Sequence, residues 1–221
     1  MKYKRFFAFG CSFTKWKWKT WPDFLAESLN LECNNFAVPG AGNEYIFHSI
    51  VEANETYKFN QNDLIIVCWT NFAREDRYIK DKWVHSSNIY NYTVFDRKWV
   101  NQWFDLKGAF KKTCSYIASI TNLLENTKSN FLYTSIMPMD FINDKDPIYQ
   151  NLCIKKELLI YDKYFKLMLP SMVEYLYDSL PYCRNPNPQA PNDNHPSEVQ
   201  HLQFVNKIIL PNLETYSQEN I

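Results

Sequence analysis

Four short apolar runs along the chain are separated by segments of helical periodicity. Two of these runs are clear: residues 6–9, which end at Gly10, and residues 64–68. An apolar run of this length beside a turn residue is typical of a buried strand. Residues 34–38 and 130–137 are two further candidates, and a proline follows each of them. The pattern therefore predicts four strands.

The first helices are predicted between these runs. Thr20 is a candidate N-cap, with Trp21 and Pro22 in the first turn of the helix that follows it. Asn43 is the candidate N-cap of a second helix, and residues 111–126 form a third. Each of the first two strands is thus followed by a helix.

The second half of the chain has fewer clear signals. A long helix is predicted over residues 151–169, where Pro170 must kink or end it. Residues 172–177 fit either a helix or a fifth strand. A terminal helix after Ser197 carries apolar residues at helical spacing and is predicted to stop at Pro211.

Strands that alternate with helices imply a parallel sheet covered by helices on both faces. The predicted class is therefore α/β, doubly wound. A chain of 221 residues without a compositional break is expected to form one domain, over residues 1–221.

Charge and composition exclude several classes of function. The formal net charge is zero and the sequence pI is about 6.9, so no global field attracts nucleic acid or an anionic membrane. No apolar stretch has the length of a membrane helix, and the apolar run near the N-terminus is too short for a signal peptide. The six cysteines and four histidines show no metal-type spacing. We expect free thiols, no cofactor, no metal, and a cytoplasmic location or carriage by a virion.

Small or polar residues follow the ends of the predicted strands, where ligands bind in open α/β sheets. Ser12 is a helix N-cap, a loop residue or a nucleophile. Gly40 is a turn residue or a site where a backbone N–H meets an oxyanion. Asn71 is a turn former or a donor to that charge. His195, close to Asp193, is a surface residue or a general base.

Four blocks occur in a fixed order: Ser12 in GCSFT, Gly40 in VPGAGN, Asn71 in WTNF and His195 in DNHPS. In this order they resemble the blocks of the SGNH hydrolases, also called the GDSL family. The resemblance spans nearly the whole chain. It implies a three-layer α/β/α sandwich with a mainly parallel sheet of about five strands, and the hydrolysis of an ester through an acyl-serine intermediate.

The resemblance also implies a role for each residue. Ser12 is the attacking oxygen, His195 is the general base and acid, and Asp193 orients the imidazolium. The backbone N–H groups of Ser12 and Gly40, with the carboxamide of Asn71, form the oxyanion hole.

Two positions depart from the family pattern. Cys11 stands where the family has the acid of its GDS block, and Asn192 stands where it has the triad acid. Either Asp193 reaches the ring of His195, or Asn192 or a backbone carbonyl holds the ring and the enzyme uses a Ser-His pair. Cys11 is expected to pack beneath the sheet, because adjacent residues leaving a strand point in opposite directions.

An aromatic-rich insert over residues 72–106 follows the Asn71 block. It is predicted to overhang the site, where its rings either face a sugar or form a satellite hydrophobic cluster. Asn43, Trp69 and Arg74 are candidate substrate contacts. The segment KWKWK, residues 15–19, is a loop at the substrate rim or a solvated loop; a single-stranded nucleic acid grip is the weakest alternative.

The leading hypothesis is an esterase that removes acetyl or similar short acyl groups from a carbohydrate or another small ester. The rival hypothesis is a non-catalytic glycan-binding or structural protein, for instance a viral one, that retains the fold. Neither hypothesis requires nucleic acid or a membrane as a partner, and the oligomeric state is left open.

Overall fold

The computed structural model describes residues 3–139, 154–176 and 193–219. Within these ranges, parallel strands form a four-stranded sheet and two further strands form a separate antiparallel hairpin. In chain order the strands are β1 (Arg5–Phe9), β2 (Cys33–Asn35), β3 (Asp63–Trp69), β4 (Arg74–Ile79), β5 (Lys82–Asn88) and β6 (Asn130–Ser135). The sheet order is β2-β1-β3-β6, and β4 pairs with β5.

Helices connect and flank these strands. They are α1 (Trp21–Leu29), α2 (Asn43–Tyr57), α3 (Arg97–Trp103), α4 (Leu106–Asn126), α5 (Lys155–Phe165), α6 (Met172–Leu176), α7 (Glu198–Phe204) and α8 (Leu210–Glu219). A 3₁₀ turn, Ile89–Asn91, follows β5, and a π-helical turn, Val205–Ile209, joins α7 to α8.

Side-chain alternation along the strands builds two hydrophobic layers. Phe6 and Ala8 of β1 pack with residues of α1 and α7 on one face of the sheet. Phe7 and Phe9 pack with residues of α2 and α4 on the other face. Because successive side chains of a strand point to opposite faces, each central strand serves both layers. The predicted α/β class, with a parallel sheet between helices, is confirmed.

The register of the sheet brings the carboxyl ends of its strands to one rim. Phe9 pairs with Val67, so β3 extends two residues beyond the end of β1. Trp69 at the end of β3 pairs with Ser135 at the end of β6. The loops that follow β1, β2 and β3 therefore lie side by side, at the edge where ligands bind in such sheets.

The alternative left open for residues 172–177 is resolved by α6, a helix over Met172–Leu176. The described residues thus supply four strands to the sheet, against about five in the expectation. Beside β6 there is only an isolated parallel bridge between Tyr133 and Met168. The predicted start of the preceding helix at residue 151 lies outside the described residues, and α5 ends at Phe165, before Pro170.

The terminal helix differs from the prediction in its end and its buried face. It does not stop at Pro211, which is the second residue of α8 and follows the π-helical turn directly. The π-helical turn before α8 rotates the apolar face, so Phe204, Val205 and Ile209 are buried while Val199 is exposed.

Four of the six cysteines lie in the described ranges, and all four are free thiols. Cys11 and Cys68 are buried in the layer beneath α1, as expected for Cys11. Burial raises the pKa of the Cys114 thiol to about 12. Cys153 and Cys183 lie outside the described residues. Within the described ranges, the helices are all too short or too polar to cross a membrane.

His201 on α7 makes the fold sensitive to acid. Its ring is fully buried and neither ring nitrogen has a hydrogen-bond partner. Burial lowers the pKa of His201 from 6.5 to about 3. Between these values the unfolded chain binds a proton that the folded chain does not, so stability falls as the pH falls through this window.

His201→Leu is therefore expected to reduce the acid sensitivity. Within this window the free energy of unfolding of the wild type falls by about 1.4 kcal/mol per pH unit. From pH 7 to pH 5, the free energy of unfolding of the variant should therefore rise by about 2 kcal/mol relative to that of the wild type. Urea denaturation at both pH values measures the difference. His48→Gln, at an exposed position, should behave as the wild type. Parallel pH profiles for wild type and His201→Leu would refute the assignment.

Candidate active site

The loop after β1 presents Ser12 in a tight turn. The carbonyl oxygen of Cys11 accepts hydrogen bonds from the N–H groups of Thr14 (2.9 Å) and Lys15 (3.0 Å), which is one turn of helix-like backbone. Ser12 lies at the start of this turn, where backbone N–H groups have no partner within the turn. A Cβ on Gly10 would lie 2.2 Å from Oγ1 of Thr14, so only glycine allows this turn to fold back on the strand.

The loop after β2 presents Gly40. The N–H of Ala41 donates to the carbonyl oxygen of Val38 at 3.1 Å, and Pro39 and Gly40 form the two central positions of the turn. Gly40 has φ +85°, which a side chain rarely permits. The N–H of Val38 donates to the carbonyl oxygen of Gly10 at 3.4 Å. The Gly40 turn therefore lies directly beside the Ser12 turn.

Asn71 follows β3 at the same rim. Its Oδ1 accepts a hydrogen bond from the N–H of Ala73 at 2.6 Å, which fixes the plane of the carboxamide. The Nδ2 group has only a weak sulfur acceptor among the described residues, Met137 at 3.8 Å. The amide donor is therefore oriented by its own loop and remains available to a stronger acceptor.

His195 and Asp193 form a hydrogen-bonded pair. Nδ1 of His195 lies 2.5 Å from Oδ1 of Asp193, and the backbone N–H of His195 donates to the same oxygen at 3.0 Å. The side chains are 21% and 15% exposed. Asp193 thus contacts the ring although it lies two residues before the histidine. Asn192, the alternative partner, lies outside the described residues.

The KWKWK segment holds this pair against the Ser12 turn. The ring of Trp16 stacks on the ring of His195, with centroids 3.7 Å apart, and Nε1 of Trp16 donates to Asp193 at 3.1 Å. Nε1 of Trp18 donates to the carbonyl oxygen of Pro196 at 2.9 Å. The indoles face the histidine loop while the lysines between them are exposed. The segment therefore holds the histidine loop in place at the rim of the sheet.

The contacts of the histidine loop place it against the loop that carries Ser12. The ring of Phe13, the residue after Ser12, lies 5.5 Å from the ring of His195 between centroids, in an edge-to-face arrangement. Ser12 itself is 6% exposed, and its Oγ has Sγ of Cys11 at 3.9 Å as its described contact. The four blocks, distant in sequence, meet at one rim of the sheet.

Burial is the main reason why His195 favours its neutral form. Burial lowers its pKa below the ordinary value of 6.5, and the positive charges of Arg74 and Lys17 lower it further, against the opposite effect of Asp193. Burial raises the pKa of Asp193, but hydrogen bonds from His195 outweigh it, and the pKa lies below 3.8. At neutral pH the site holds a carboxylate and an imidazole that can accept a proton.

Two of the three candidate substrate contacts are structural. Asn43 is buried, and its carboxamide bonds the N–H and the carbonyl of Thr70 (2.8 and 2.9 Å) and the hydroxyl of Thr113 (3.2 Å). It is the first residue of α2 and not its N-cap, which is Gly42. Trp69 is fully buried in the layer beneath α2 and α4. Neither side chain can reach a substrate. Arg74 lies at the site.

The insert is folded and not an extended loop. Its hairpin, β4–β5, packs on the Gly40 turn through His85 and Ser87. Asp76 of β4 is buried, and its carboxylate accepts hydrogen bonds from the N–H groups of Gly42 (2.9 Å) and Tyr45 (2.9 Å) and contacts Nδ1 of His85 at 2.8 Å. Asp76 caps α2 from a distant strand, which the sequence analysis missed.

The rings of the insert differ in their exposure. Tyr90 and Phe104 pack against a small buried cluster that includes Phe110. Tyr78 and Trp103 are 61% and 65% exposed. In the described part of the chain, groups of three or more metal-ligating side chains are absent.

Trp16→Phe is expected to lower kcat about tenfold with little change in KM. The variant keeps the ring over His195 but loses the N–H that donates to Asp193, a hydrogen bond to a charged group. Trp99→Phe, at an indole of α3 that stacks on Phe95, is the matched control and should leave kcat unchanged. Equal kcat values for Trp16→Phe and the wild type would contradict this role of the indole.

No protein-family model matches the sequence, and no curated protein matches it. Solved structures of other proteins do share its fold. A GDSL-like lipase from Bacteroides thetaiotaomicron has a TM-score of 0.56 and 14% identity, over 96% of this chain and 89% of that chain. The psychrotrophic esterase EstA from Pseudoalteromonas sp., solved with monoethylphosphonate as inhibitor, has a TM-score of 0.55 and 8% identity, over 97% and 99%.

The third structure is a protein assigned to the lipolytic G-D-S-L family, from Desulfitobacterium hafniense. Its TM-score is 0.53 at 13% identity, over 90% of this chain and 94% of that chain. All three likenesses extend over nearly the whole of both chains. The four sequence blocks likewise span nearly the whole of this chain. The chain therefore has the fold of the SGNH, or GDSL-like, hydrolases.

Proposed function

We propose that the protein is a serine esterase that hydrolyses short acyl esters through an acyl-serine intermediate. The observation that carries the proposal is the Asp193–His195 pair, which the loop of Ser12 holds by ring contacts and an indole hydrogen bond. A paired imidazole with a low pKa beside a serine at a strand end is the arrangement that activates a hydroxyl nucleophile.

In this mechanism Ser12 Oγ attacks the ester carbonyl and His195 accepts its proton. Asp193 holds Nδ1 and stabilises the imidazolium that forms. The tetrahedral oxyanion lies against the N–H groups of Ser12 and Gly40 and the amide of Asn71. His195 then donates the proton to the leaving alcohol, and water repeats the sequence on the acyl-enzyme.

The surroundings of Ser12 favour a small acyl group. Ser12 is 6% exposed and is followed by the bulky residue Phe13, so a long acyl chain has little room beside the nucleophile. The solved structures of similar fold are named as a lipase and an esterase, which supports ester chemistry and leaves chain length open. The exposed rings of Tyr78 and Trp103 on the insert support a carbohydrate leaving group.

Hydrolysis of p-nitrophenyl esters tests the proposal. The purified protein is expected to hydrolyse the acetate with a higher kcat/KM than the butyrate, and the octanoate least. A preference for the octanoate would refute the short-acyl assignment. Failure to hydrolyse all three esters above the buffer rate would refute the esterase proposal itself.

The second candidate function is glycan binding without catalysis. The exposed rings on the insert favour it, because flat aromatic faces bind sugar rings whether or not an ester is cleaved. Under this alternative, Tyr78→Ala with Trp103→Ala would abolish binding to immobilised glycans, while Ser12→Ala would leave binding and a background rate of hydrolysis unchanged.

A further inference from the structure

We propose that Arg74 forms a subsite for a carboxylate on the substrate, so that the enzyme prefers anionic esters over matched neutral ones. This inference rests on the proposed esterase function and names the substrate class for that same site. The anchoring of Arg74 on the Gly40 turn, its unmatched charge and the effect of that charge on His195 support it.

Arg74 lies against the Gly40 turn. It opens β4, three residues after Asn71, and its Nη1 donates to the carbonyl oxygen of Ala41 at 2.9 Å. A Cβ on Gly42 would lie 3.1 Å from Cβ of Arg74. The guanidinium is therefore anchored to the residue after Gly40, between the two loops that supply the proposed oxyanion donors.

The charge of Arg74 is unmatched, unlike those of its neighbours in the sequence. Glu75 pairs with Arg77 at 2.5 Å, and Asp76 pairs with His85 at 2.8 Å. Across the described ranges, no carboxylate lies within ion-pairing distance of Arg74, whose one hydrogen bond there is to Ala41. A guanidinium has five N–H donors, so most of them remain for a ligand.

The guanidinium also acts on the catalytic imidazole. Burial is the largest cause of the low pKa of His195, and the charge of Arg74 adds to it. The positive charge of Arg74 therefore opposes the imidazolium that the mechanism forms. A carboxylate on the substrate would neutralise this charge and so remove its unfavourable effect on the imidazolium.

A carboxylate suits this position because its two oxygens match the planar fork of an arginine. A neutral substrate leaves the half-buried guanidinium without that partner. Losing a hydrogen bond to a charged group is expected to lower kcat/KM for the neutral ester by about tenfold to a hundredfold relative to the anionic one.

The test uses two pairs of acetyl esters that differ only in a carboxylate against a carboxamide: the meta and para isomers of acetoxybenzoate and acetoxybenzamide. For at least one isomer, the wild type should give a kcat/KM for the acid that exceeds that for the amide by about tenfold or more. Arg74→Gln should bring this ratio close to one, and Arg74→Lys should leave an intermediate ratio. Added salt should lower the wild-type ratio.

Arg77→Gln is the matched control, because Arg77 lies on the same strand, is exposed and pairs with Glu75. It should retain the wild-type ratio. A ratio near one in the wild type for both isomers, or a ratio that Arg74→Gln leaves unchanged, would overturn the subsite while the esterase proposal stands. No hydrolysis of any of the four esters, with p-nitrophenyl acetate also inert, would instead refute the proposed function on which the subsite rests.

Discussion

Ser12→Ala is expected to lower kcat/KM for p-nitrophenyl acetate by about 10³-fold or more, because it removes the atom that forms the acyl-enzyme. The fold should persist, since the described contact of Oγ is a weak one to Sγ of Cys11 at 3.9 Å. A steady-state assay with the wild type and the variant, together with thermal unfolding of both, measures the two effects separately.

Two control variants make this result specific. Ser28→Ala removes a hydroxyl on the exposed side of α1 and should leave the rate unchanged. Cys11→Ser tests whether the neighbouring thiol is the nucleophile. Because Cys11 is buried beneath the sheet, this variant should lose stability while its kcat stays within a few-fold of the wild type. Equal rates for wild type and Ser12→Ala would eliminate Ser12 as the nucleophile.

Asp193→Asn is expected to lower kcat by about 10²- to 10⁴-fold. The amide keeps the shape of the carboxylate but removes the charge that stabilises the imidazolium, and it permits the wrong tautomer of His195. The pairing of Nδ1 with Oδ1 at 2.5 Å gives the carboxylate this role. The variant also loses the negative charge that raises the pKa of His195, so the acidic limb of the pH profile should move to lower pH.

The matched control for Asp193→Asn is Asn192→Ala, at the position where the SGNH family has its acid. If Asp193 orients the ring, the control retains most of its activity. A control that loses more activity than Asp193→Asn would assign the orienting role to Asn192. Little loss in either variant would indicate a Ser-His pair whose ring is held by a backbone carbonyl.

The sheet and its helices were predictable because burial leaves a local record in the sequence. Residues 64–68 are apolar without interruption since β3 is central and covered on both faces. Thr20 was recognised as a cap because Pro22 follows it in the first turn of the helix, and the structure adds a capping box with Asp23. The α/β class follows from such elements alone.

The contacts that assemble the site were not predictable in the same way, because they join segments far apart in sequence. Nothing local in the segment 74–79 indicates that Asp76 is buried as the cap of α2. Likewise, the alternation in KWKWK predicts two faces but not that one of them docks His195. Asn43 and Trp69 were misassigned for the converse reason: a rim position predicts proximity to a site, whereas burial decides access.

The mapped position of a covalent phosphonate adduct tests most directly that Ser12 is a nucleophile activated by His195. The protein is treated with a p-nitrophenyl alkylphosphonate, digested and analysed by mass spectrometry. We predict one adduct, on Ser12, that forms with release of p-nitrophenol, is absent in Ser12→Ala and forms far more slowly in His195→Ala. An adduct on Cys11 or another residue, or hydrolysis that continues without an adduct, would contradict the account.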